Sequence, residues 1–214
     1  MRKAIAITAG LLMMAGFTVT AQEKAKEEGK PTAGHEMATK GTRTNASATI
    51  ARAMSAAPQS VSKEATIMEA TADGKMNQLR AGTNGWMCMV DPGGTPMCLD
   101  KQWQAWADGW MNKKDPQVTS IGVAYMLKGD KGASNTDPYA KSPTPDNHWV
   151  ISGPHMMVIT PDTAQLDSLP TDPWNGGPWV MWKGTKYAHI MMPTVPTPKP
   201  AAAKSSAGKS SDKK

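Results

Sequence analysis

Two stretches of this chain place a His two residues before a Met: PHMMVI at 154–159 and AHIMMP at 188–193. In a β-strand, residues i and i+2 share a face. His155 with Met157, and His189 with Met191, would therefore each present an imidazole beside a thioether. That donor pair suits Cu(I) and Ag(I), and neighbouring indoles can shield such an ion through cation–π contact. Antiparallel pairing with His155 opposite Met191 would put Met157 opposite His189, so that four ligands converge on one soft ion. The competing explanation is packing, because the chain has 17 Met and a single Phe and Met fills irregular gaps in a core. Lys183 and Thr185 share parity with His189 on an unbroken strand, which favours a face reachable by solvent. Gly184 is the place where such a strand could bend.

Other residues support other chemistry. Trp86, in TNGW, and Trp174 and Trp179, in DPWNGGPW, stand beside Gly and Asn in loops, where indole rings can stack on the sugar rings of a glycan or cell wall. His155 with Asp146 or Asp162 would make a general base and its orienter, as in a hydrolase. No nucleophile elbow, phosphate loop, H-E-x-x-H or haem-attachment motif occurs. Asp130, Asn135, Asp137 and Asp146 lack the spacing of a calcium loop and read as turn formers. The balance favours a ligand-binding or interaction protein over a catalyst, with copper(I) the one cofactor that the donor set suggests.

The elements that must position these residues follow from pattern. SKEATIMEA and MNQLRAG flank Asp73-Gly74, and GWMCMV and TPMCLD flank DPGG, which gives two successive hairpins. The second contains the only Cys, Cys88 and Cys98, expected as a disulfide in an exported chain. LDKQWQAWADGWMNKKDP reads as a helix capped by Asp100 and ended at Asp115-Pro116, with Trp103, Trp106 and Trp110 on one stripe. Strands at TSIGVAYMLKG and HWVISGPHMMVITP, a short helix in PDTAQLDSLP, and a closing strand or bent pair at WVMWKGTKYAHIMMP complete an α+β domain. Its sheet is expected to be mostly antiparallel.

The ends set the context. Residues 1–21 have a basic start, a short apolar run and small residues before Gln22, the pattern of a cleaved export signal, which implies a periplasmic or secreted product. No later run approaches membrane-span length. Residues 22–57 are polar and small, expected as a disordered leader, and 194–214 as a Pro, Ala, Lys and Ser tail. The single globular domain is then 58–193. The net charge is +6, yet residues 58–193 carry eleven Lys and Arg against thirteen Asp and Glu. This argues against nucleic acid and leaves the basic tail a weak, screened attraction to anionic envelope surfaces.

Overall fold

The computed structural model describes residues 36–197 and 199, with side chains from Asn45 onward. Helix α1 is Glu36–Met54 and α2 is Gln59–Ser62. The first hairpin is β1 (Thr66–Ala70) with β2 (Met76–Arg80), turning at Gly74 with φ +82°. The second is β3 (Met87–Val90) with β4 (Pro96–Leu99). Helix α3 (Lys101–Met111) and strand β5 (Gly122–Met126) follow. A small ribbon pairs β6 (Ala133–Ser134) with β7 (Trp149–Val150). Then come β8 (His155–Ile159), a 3-10 turn at Thr163–Leu166, β9 (Trp179–Met181) and β10 (His189–Pro193).

The main sheet has eight strands in the order β2-β1-β3-β4-β5-β8-β10-β9, and every pairing but one is antiparallel. The fold is thus α+β. The exception is β1 with β3, which run parallel. To reach that position the chain returns tightly past its own start, and a Cβ at Gly82 would lie 2.1 Å from the Thr66 backbone nitrogen. Only a residue without a side chain fits there.

Each face of the sheet has its own cover. On one face, Cys88 and Cys98 sit directly opposite each other and form the expected disulfide, fully buried with Ile67 against Ala53 and Ala56. The covering segment differs from expectation, because Glu36–Met54 is helical and Ala53, Ala56 and Ala57 belong to the core. Residues before position 58 therefore contribute to the buried core. Polar composition does exclude a large apolar face, but alanines pack flush against a sheet without one. The Ala56 carbonyl also accepts the Leu127 N–H at 2.9 Å. The expected export signal at 1–21, residues 22–35, residue 198 and the segment beyond Lys199 lie outside the described residues.

On the opposite face lies α3. Asp100 caps it as expected, accepting from Trp103 N at 2.8 Å, and its other oxygen accepts from Val123 N at 2.6 Å, which ties the helix start to β5. The helix ends at Asn112, before Asp115-Pro116, where Lys113 turns into the left-handed region at φ +57°. Trp103 and Trp106 are buried against the sheet.

One expected strand is broken, and the closing segment takes the bent-pair alternative. HWVISGPHMMVITP divides into β7 and β8, which belong to different sheets. The closing segment is a strand pair, with Trp182 at φ +57° and Gly184 at φ +79° making the turn between β9 and β10. Lys183 and Thr185 therefore lie in that turn. Their parity says nothing about the face of His189, which is buried.

Candidate functional site

His155, Met157, His189 and Met191 lie on one face of the adjacent strands β8 and β10, and all four are buried. The register differs from expectation by two residues. Met157 faces Met191, and His155 faces Pro193. The two His thus sit at opposite ends of the Met pair, four positions apart or about 13 Å of strand rise, and do not form a square with the two Met.

The outer strands supply what that arrangement lacks. Met126 of β5 lies directly opposite His155, and Met181 of β9 lies directly opposite His189. Each His therefore has one Met across the strand and another two residues along its own strand. A local two-fold axis through the Met157/Met191 pair relates the half-sites His155–Met126–Met157 and His189–Met181–Met191. Antiparallel pairing produces this symmetry whenever two strands carry the same H-x-M spacing and meet at the Met.

The imidazoles are set in the same way. His155 Nδ1 lies 2.7 Å from the carbonyl oxygen of Gly153, and His189 Nδ1 lies 3.0 Å from that of Tyr187, each two residues earlier. A carbonyl only accepts, so Nδ1 carries the proton in both rings and Nε2 keeps its lone pair. His155 Nε2 is buried with no hydrogen-bond partner. Ligating imidazoles are commonly oriented in this way, with the second nitrogen donating to a backbone carbonyl.

All six half-site residues line one cavity of about 340 Å³, within the size range of small-ligand sites. Trp103, Trp106 and Trp182 form much of its wall. Its lining includes three carboxylates, Asp91, Asp130 and Asp137, and no Lys or Arg. Asp137 is exposed, so the acidic part of the lining meets solvent. Among the described residues, no cluster of three His, Cys, Asp or Glu occurs, so any metal here would depend on thioethers.

The two ends differ in their surroundings. Around His189, Trp103, Trp106 and Trp182 approach edge-on, with ring centroids at 5.4, 5.5 and 5.0 Å. Burial pushes its pKa down to about 4, opposed by the Tyr187 carbonyl and reinforced by the charge of His155. Burial also lowers His155, but there the Gly153 carbonyl and the Asp130 carboxylate oppose it. Burial raises Asp130 in turn, while N–H groups of Ser152 and Gly132, both donating to its Oδ1 at 2.9 Å, favour the charged form.

The other candidate residues are dispersed. Trp179 is fully buried opposite Met191, so it cannot contact a glycan. Trp86 packs on Tyr125 at 5.6 Å and borders a cleft beside Asn84 and Lys101. Trp174 lines a separate cleft. The carboxylate acting on His155 is Asp130, whereas Asp162 caps the 3-10 turn through Ala164 N at 3.0 Å and Asp146 is exposed in its loop. Sequence spacing alone does not identify Met126, Met181, Asp130 and Trp182 as neighbours of the two His. For Met126 and Met181 the only signal was the density of Met in neighbouring strands.

Site and fold together define an α+β protein built around a cavity walled by His, Met and Trp and lined in part by acid. Compared with known protein families, curated sequences and solved structures, the chain matches none of them.

Proposed function

We propose that this chain is a binding protein for soft monovalent cations, Cu(I) or Ag(I), held in the half-sites His155–Met126–Met157 and His189–Met181–Met191. The observation that carries the reading is the duplication. Two neutral imidazoles, each with Nδ1 committed to a carbonyl two residues earlier, line one cavity together with Met126, Met157, Met181 and Met191. Thioether and imidazole prefer soft ions to hard ones. Indole walls suit a monovalent cation without an aqueous shell, and the carboxylates of Asp91, Asp130 and Asp137 favour its approach. A core that needed only filling would not require two imidazoles oriented alike. The disulfide is consistent with an oxidising compartment, and no helix among the described residues is long and apolar enough to cross a membrane.

The test is a titration with silver(I) followed through the methyl signals of Met. Met126, Met157, Met181 and Met191 should shift and saturate with one ion per half-site, while exposed Met76 and Met111 stay in place. The His155→Ala/His189→Ala variant, shown to be folded by circular dichroism, should lose the response. No shift in the parent, or an unchanged response in the double variant, would overturn the reading.

A further inference from the structure

A second cleft of about 520 Å³ lies beside the turn between β9 and β10 and is bordered by Asn135, Thr136, His148, Asp172, Trp174 and Lys183, among others. A backbone hydrogen bond from Trp182 N to the Asn135 carbonyl at 3.0 Å ties the lining residue Asn135 to Trp182, a wall residue of the cation cavity. Asn135 is only 8% exposed. Its Nδ2 donates to the Thr171 carbonyl at 2.9 Å, which fixes the orientation of the amide, because an oxygen placed there would face another acceptor. Its Oδ1 is consequently buried with no partner. A buried acceptor left bare is costly, and here it belongs to a residue on a cleft.

The rest of the lining suits one kind of donor. Asp172 and Lys183 balance in charge, so the cleft does not select an ion. Asp172 accepts from Trp174 N at 2.9 Å, and Lys183 Nζ donates to the Asp167 carbonyl at 2.6 Å, so both are held in place. His148 adds an exposed ring from a left-handed backbone position, φ +47°. Trp174 contributes a half-buried indole. Fixed acceptors and donors around an aromatic ring match a molecule with hydroxyls at its rim and apolar C–H faces.

We infer that this cleft is a binding site for a neutral saccharide, with Asn135 Oδ1 accepting a sugar hydroxyl and Trp174 stacking on the ring. The site is independent of the cation cavity, and neither reading requires the other. The experiment uses the full chain and three probes, maltotriose, cellotriose and triacetylchitotriose, each titrated into the millimolar range and followed by amide and indole NMR. At least one should shift the Trp174 indole and Asn135 side-chain signals saturably. Trp174→Ala, shown to be folded by circular dichroism, should weaken that binding about tenfold, with an unchanged response to silver. The inference is overturned if none of the three sugars shifts these signals, if shifts centre on Trp86, or if Trp174→Ala binds as the parent does.

Discussion

The two ends of the His–Met–Trp cavity share a backbone plan and differ in the groups packed around it. At each end an imidazole donates from Nδ1 to the carbonyl two residues before it and lies opposite a Met on the outer strand. Yet the His189 end is enclosed by three indoles, while the His155 end feels the carboxylate of Asp130. The Met partners follow from strand pairing, and the ring orientations from local contacts with the carbonyls of Gly153 and Tyr187. The difference follows from what the non-local elements bring: α3 and Trp182 at one end, the loop after β5 at the other. The His189 end is accordingly a desolvated pocket, and the His155 end is where charge can be compensated.

The comparison can be broken most forcefully at Trp182, whose indole N–H donates to the Ser134 carbonyl at 2.7 Å and whose ring stacks on Trp106 at 5.8 Å. Trp182→Ala should cost about 3–5 kcal/mol in chemical denaturation. It should also perturb His189 signals far more than those of His155. Equal perturbation of both rings would mean that the ends are not distinct.

Acid tests the same contrast with a comparable magnitude. His189 has its folded pKa depressed from 6.5 to about 4, so the unfolded chain binds the proton more readily. Stability is complete above the ordinary His range and declines as pH falls from 6.5 toward 4. From His189 alone the loss approaches roughly 3 kcal/mol. Histidine NMR should show His155 titrating at a higher pH than His189, since Asp130 supports its charged form. A reversed order would contradict the assignment of Asp130 to that end.

The smallest effect on stability is expected from Asp130→Asn. Both backbone donors use one oxygen of Asp130, which an Asn carbonyl can replace, and a desolvated charge is removed. Melting should change by no more than about 1 kcal/mol. Silver affinity should fall, with Met126 and Met157 responding later in the titration than Met181 and Met191. A uniform delay of all four would show that Asp130 serves the whole cavity.

Period-two spacing was enough to place each His with its Met on one face, and the Cys pair and Asp100 cap were equally local. Register was not legible. Whether His155 meets Met191 or Pro193 depends on how far the chain travels through the turn at Trp182–Gly184, and that left-handed Trp has no pattern in the sequence. Met126 and Met181 are partners only through pairing with β5 and β9. Asp130 looked like an ordinary turn residue, and it does serve as one, through Gly132 N. Helix α1 is not legible in the sequence, because burial by alanine leaves no broad apolar stripe.

The most direct measurement of the central claim is X-ray absorption at the copper edge of protein loaded anaerobically with Cu(I). The account predicts a shell of mixed sulfur and nitrogen from thioether and imidazole. The sulfur contribution should fall in the Met126→Leu/Met181→Leu variant, whose near-isosteric changes leave the fold intact. A shell of light atoms alone, or a spectrum unchanged by that variant, would contradict it.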